Sequence, residues 1–185
     1  GIDRFRDSLI STWGIRKGLA EEFARVVLED RKGRIWVGTS DGLFAITAAN
    51  VRRYGREQGL LNGAILSLAE DSDGTLWVGT NGGGLHRMKG ERFELVSPKL
   101  GLSTASVRAI LPAKDGSLWI GTNSGLVSWA WRTGAGTNGT NAIRLGIADG
   151  LPSEQINALY EDAQGRIWVG ARGGLGMLEK DDRRN

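Results

Sequence analysis

Apolar residues run along this chain in short bursts, parted by polar, Gly-rich intervals. One burst recurs almost unchanged. It reads Arg34-Ile35-Trp36-Val37-Gly38-Thr39, then Thr75-Leu76-Trp77-Val78-Gly79-Thr80. It returns as Ser117-Leu118-Trp119-Ile120-Gly121-Thr122 and as Arg166-Ile167-Trp168-Val169-Gly170-Ala171. The tryptophans stand 41, 42 and 49 residues apart. A period of this length marks a repeat architecture.

Two further markers set the register. Gly-Leu at Gly18, Gly59, Gly101 and Gly150 precedes each Trp by 18 residues. A second Gly-Leu follows the Trp by 6 residues at Gly42, Gly125 and Gly174, and by 7 at Gly84. The third unit is longer, with an insertion within Arg132 to Asn141.

Each unit reads as four short strands. The first covers Ala24 to Leu28, Ile65 to Ala69, Val107 to Leu111, or Ile156 to Tyr160. A polar turn follows, such as Asp71-Ser72-Asp73-Gly74, where Asp and Gly suit a hairpin. The second strand is the Trp phrase, and the third starts at the next Gly-Leu. The fourth carries Ile10 and Trp13, Val51 and Tyr54, Phe93 and Val96, or Leu145. No stretch shows a sustained helical apolar stripe, and Glu21 to Glu29 is assigned to strand with its equivalents.

A four-stranded unit of this size cannot bury both faces alone, and radial stacking of such units buries them against each other. The fold class is therefore all-β: a β-propeller of about four 41-residue blades, with a four-stranded solenoid as the alternative. The repeats run over about 18–58, 59–100, 101–149 and 150–185, with an N-terminal half-blade at 1–17. A chain cut in mid-blade is expected to be part of a larger ring, or a half that pairs with another copy. Trp36, Trp77, Trp119 and Trp168 are expected to be structural repeat core, because an indole removes a large apolar area from water at low entropy cost. The Gly after each lets neighbouring backbones approach.

These residues resemble the repeats of the two-component-regulator propeller family: Gly-Leu, a short apolar strand, Asp-x-x-Gly-x-Leu/Ile-Trp-Val/Ile-Gly-Thr, a turn, then Gly-Leu. The pattern spans Gly18 to Leu43, Gly59 to Leu85, Gly101 to Leu126 and Gly150 to Leu175. The resemblance implies an extracytoplasmic, periplasmic sensor region of a bacterial membrane receptor, preceding a β-sandwich, a membrane helix and a histidine kinase or diguanylate cyclase. Several such propellers sense carbohydrates. With about four repeats and no membrane helix in this sequence, membrane attachment and signalling output are expected only through other parts of a longer receptor.

Composition narrows the chemistry. The 185 residues include 29 Gly but 3 Pro, so the glycines punctuate strands rather than mark a disordered tract. Net charge is +3 with the basic residues scattered, which argues against a nucleic-acid partner. With no Cys and one His, His86, there is no expected metal site, cofactor or catalytic residue. His86 itself is read as a surface or strand histidine.

Function is expected where the units differ. Seven residues after the first Gly-Leu marker stand Arg25, Leu66, Arg108 and Asn157. If the first strand is innermost, Arg25, Arg108 and Asn157 form a polar ring suited to a carboxylate, a sulfate or sugar hydroxyls. Alternatively they face a wet channel or pair with Glu21, Glu22 or Glu154. Trp129 and Trp131, two apart on one strand, share a face and are candidates to stack on a sugar or a partner. The competing reading has them covering blade edges. The leading functional expectation is a non-enzymatic sensor module with a small-molecule or oligosaccharide ligand. A protein-interaction scaffold, or one assembling as a homodimer or larger array, comes second. A propeller lyase or hydrolase comes third.

Overall fold

Each repeat unit folds as an antiparallel meander. The computed structural model describes residues 23–102, 104–130 and 142–179, and the Ile10/Trp13 strand, the half-blade 1–17, the insertion and Trp131 lie outside them. Blade 1 comprises β1 (Ala24–Glu29), β2 (Ile35–Thr39), β3 (Leu43–Ile46) and β4 (Val51–Tyr54). Blade 2 comprises β5 (Ile65–Glu70), β6 (Leu76–Thr80), β7 (Gly84–Lys89) and β8 (Arg92–Leu95). Blade 3 comprises β9 (Val107–Pro112), β10 (Leu118–Thr122), β11 (Gly125–Trp129) and β12 (Ala142–Leu145). Blade 4 comprises β13 (Ile156–Glu161), β14 (Ile167–Ala171) and β15 (Gly174–Leu178). Strand order within each sheet follows chain order. This is the β-propeller read from the repeat.

The first strand of each blade is the innermost. β1 packs on β5, β5 on β9 and β9 on β13. Side chains alternate across a strand, so each blade has two unlike faces. Trp77 packs with Val107, Leu118 and Ile120 of blade 3, while its neighbours Leu76 and Val78 pack with Trp36, Leu43 and Tyr54 of blade 1. Blade 3 meets blade 4 in the same way, through Trp119 and Leu126 against Ile156, Ile167 and Val169. The Trp face of one blade therefore always meets the Ile/Val face of the next. Burying an indole removes on the order of 200 Å² from water, which contributes about 5 kcal/mol before entropy is counted.

Gly79 shows why glycine follows the Trp. A Cβ built there would stand 2.1 Å from Ser67 Oγ and 2.5 Å from the Val107 carbonyl oxygen of the next blade. Only a bare backbone lets the inner strands approach this closely.

Two features differ from the expectation. Trp36 and Trp77 are fully buried, but Trp119 and Trp168 are half-buried. For Trp168 the reason is that no described blade covers its face, where Tyr160 and Leu175 are exposed. The second is helical. Short 3-10 turns occupy Arg56–Gln58, Ser97–Leu100 and Ile147–Asp149. Each ends on the Gly of the first marker, at φ 101°, 63° and 95° for Gly59, Gly101 and Gly150, and the Leu that follows is buried. The Gly-Leu marker is thus a left-handed cap and an anchor.

Candidate functional site

The ladder between the first and second strands of every blade skips one residue. Pairing passes from Ala24↔Thr39 to Val26↔Gly38, and from Ile65↔Thr80 to Ser67↔Gly79. It passes likewise from Val107↔Thr122 to Ala109↔Gly121, and from Ile156↔Ala171 to Ala158↔Gly170. The unpaired residues are Arg25, Leu66, Arg108 and Asn157, the four positions singled out by spacing. Each is a β-bulge on an innermost strand, opposite the repeat Gly. A bulge frees its residue from the ladder and re-aims its side chain.

Their surroundings differ. Arg25 and Asn157 are exposed, while Leu66 and Arg108 are half-buried. Asn157 Oδ1 accepts from Gln155 Nε2 at 3.4 Å. Arg108 Nε is buried without a hydrogen-bond partner, an unmet donor on a permanent cation. Glu154, one expected partner for these arginines, is occupied elsewhere: it accepts from the Ile147 amide at 3.2 Å. Glu21 and Glu22 lie outside the described residues.

A second constellation was not read from the sequence. Asp71 Oδ1 accepts from the amides of Asp73 and Thr75, and Oδ2 accepts from Trp77 Nε1 at 2.8 Å. Both oxygens are used to shape a hairpin turn and anchor an indole. Asp30 does the same for Trp36, and Asp162 for Trp168. In these two blades an Arg closes the arrangement. Arg34 and Arg166 lie 4.9 Å and 5.6 Å over their Trp rings and pair with the Asp at 2.6 Å. Burial pushes both carboxyls up, but the indole N–H, the backbone amides and the guanidinium outweigh it, and both are held below the usual carboxylate range. Blade 3 has Ala113 in place of the Asp and Ser117 in place of the Arg. Trp119 Nε1 is accordingly buried without a partner. The available signal was an Asp six residues before Trp in three units of four.

The remaining expectations separate cleanly. Trp129 is 8% exposed, edge-on to Trp77 with ring centroids 6.1 Å apart, so it is core rather than a stacking platform. Trp131 lies outside the described residues. His86 is fully buried on β7 rather than at the surface, and burial lowers its pKa to about 4. Its Nε2 accepts from the Leu61 amide at 3.3 Å. Among the described residues, no group of three or more His, Asp and Glu side chains could hold a metal ion, and no helix is long and apolar enough to cross a membrane.

Residues 18–41, 59–82, 101–124 and 150–173 match the two component regulator propeller family. No curated protein matches the chain. Among solved structures, the extracellular domain of a hybrid two component system from B. thetaiotaomicron is similar over 93% of this chain and 24% of its own, with TM-score 0.77 and 24% identity. That of a one component system from the same organism is similar over 88% and 22%, with TM-score 0.72 and 21% identity. Virginiamycin B lyase from Staphylococcus aureus is similar over 83% and 51%, with TM-score 0.59 and 18% identity. The chain spans about a quarter of the length of the first two. At these identities the likeness is one of fold.

Proposed function

The chain belongs to the two component regulator propeller family, and from that premise we propose that it is the non-enzymatic, extracytoplasmic sensor part of a bacterial receptor. Its ligand sits over the bulged positions of the inner strands. The observation that carries this reading is the bulge itself. The backbone is the same in four blades, while the side chain it re-aims is Arg25, Leu66, Arg108 and Asn157. Two guanidiniums with no carboxylate paired to either among the described residues favour an acidic ligand, and Asn157 favours hydroxyls. An acidic oligosaccharide meets both demands. Binding would bias the longer receptor only through a difference in affinity between its two states.

Calorimetric titration with uronic-acid and sulfated disaccharides, beside their neutral counterparts, tests this. Saturable binding of an acidic sugar should weaken about tenfold in Arg108→Ala and fall with added salt. Neutral sugars binding equally well, or Arg25→Ala and Arg108→Ala both leaving affinity unchanged, would reject it.

A second reading, self-assembly, rests on the fourth blade. Its uncovered face presents Tyr160, Leu175 and Met177, 65%, 66% and 39% exposed. The Ile/Val face of another copy is the surface such a face meets elsewhere in the fold. Sedimentation of the wild type and of Leu175→Glu separates the two: a dimer that the variant abolishes favours assembly, and a monomer throughout removes it.

A further inference from the structure

We propose that the acidic group of the ligand docks between blades 2 and 3, on the side-chain amino groups of Asn81 and Asn123 beside Arg108. This rests on the sensor reading above and names where an oxyanion, a carboxylate or a sulfate ester, would sit. Each asparagine directly follows the Thr that ends the Trp strand of its blade. In such turns an Asn side chain ordinarily bonds to its own backbone. Here the Thr does that work. Thr80 Oγ1 donates to the Gly84 carbonyl at 3.0 Å, and Thr122 Oγ1 to the Gly125 carbonyl at 2.8 Å. The turns close without the two carboxamides.

One residue orients both. Ser106, at the entry to β9, donates its hydroxyl to Asn81 Oδ1 at 2.8 Å and its amide to Asn123 Oδ1 at 2.9 Å. The backbones are tied as well. Asn81 N donates to the Ala64 carbonyl at 2.9 Å and Asn123 N to the Ser106 carbonyl at 3.2 Å, while the Asn81 carbonyl accepts from Asn62 Nδ2 at 2.6 Å. With each oxygen held by Ser106, each carboxamide keeps the two N–H donors of Nδ2, and neither Nδ2 has a partner among the described residues. Both asparagines are exposed. The positions equivalent to Ser106 are Ala64 in blade 2 and Gln155 in blade 4, and Gln155 Nε2 donates to Asn157 instead. Val107 pairs with Thr122, so the bulged Arg108 and Asn123 lie at the same end of blade 3. Among the described residues, Arg108 Nε is buried without a partner. Unmet donors at the same rim as a permanent cation select a group that only accepts and carries negative charge. Donors fixed beforehand lose little freedom on binding.

Calorimetric titration of the full chain with a uronic-acid disaccharide and a sulfated disaccharide tests this. Asn81→Asp and Asn123→Asp keep the oxygen that Ser106 holds and exchange the amino group for a negatively charged oxygen. Each should melt as the wild type does and bind the acidic sugar at least about tenfold more weakly. Asn50→Asp adds the same charge at an exposed site in the turn between β3 and β4, at the other end of blade 1. It should bind within about twofold of wild type. A loss with the uronate alone assigns a carboxylate, with the sulfated sugar alone a sulfate ester, and with both any oxyanion. If Asn81→Asp and Asn123→Asp bind as tightly as Asn50→Asp, this docking is overturned and the acidic-sugar reading stands. A wild type that binds neither sugar overturns both.

Discussion

Asp71 and Trp77 are joined through a 2.8 Å hydrogen bond from the indole N–H to the carboxylate, which makes the hairpin turn and the interblade packing one unit. Removing the carboxylate leaves a buried indole donor and two turn amides unmet. Asp71→Ala should therefore cost about 2–4 kcal/mol, well above an ordinary surface substitution. The reverse change, Ala113→Asp, gives Trp119 its missing acceptor and should stabilise by about 1 kcal/mol. Urea unfolding of both variants checks the pair. Equal and small effects would mean the bond contributes nothing beyond turn propensity.

The close approach at Gly79 predicts a second asymmetry. Gly79→Ala drives a methyl into Ser67 and the Val107 backbone, and should cost about 3 kcal/mol or more. Gly170, its equivalent in blade 4, has its nearest contact at 3.2 Å, to Ala158 of its own blade. Gly170→Ala should stay within about 0.5 kcal/mol of wild type. Thermal unfolding of both distinguishes them. A Gly170→Ala cost as large as that of Gly79→Ala would mean that a further blade sits on that face in solution.

His86 makes stability depend on pH in a definite direction. Burial lowers its pKa from 6.5 to about 4, so the folded state holds it neutral where the unfolded chain takes up a proton. Its contribution is complete above about pH 6.5 and is lost as pH falls towards 4, a span of about 3 kcal/mol. Asp30, held below 3.8, withdraws its own support only at lower pH. Denaturant midpoints measured across this range should fall in the wild type and stay nearly level in His86→Phe. Parallel slopes in the two proteins would refute the assignment.

Trp129 offers a test of core against surface. Its packing on Trp77 predicts that Trp129→Ala loses about 3–5 kcal/mol. A surface platform for a sugar would lose affinity instead, with little change in stability. Chemical unfolding together with the sugar titration tells which.

Much of the fold was legible because its signals are dense. Gly-Leu and Trp-Val-Gly-Thr fix the ends of strands, and the period-2 alternation around Trp77 fixes both faces of a blade. The 3-10 turns were not, since three or four residues carry no periodic signal. Trp129 carries two readings in the sequence for a related reason: spacing places two side chains on one face, but only the neighbouring blade decides whether that face is wet. The Asp71–Trp77 bond was hidden because an acid in a hairpin already has an explanation as a turn former. The bulged positions are marked in the sequence by spacing alone, seven residues after the first Gly-Leu marker, because a bulge imposes no residue type.

Arg25, Leu66, Arg108 and Asn157 contribute no rung to the ladder that holds each blade. Exchanging one of them changes a side chain on an inner strand and should leave strand register where it was. If the inner strands hold the ligand proposed above, a library randomised at these four codons should yield mostly folded members with differing ligand spectra, and the propeller would be a scaffold whose selectivity can be re-specified without redesigning its framework.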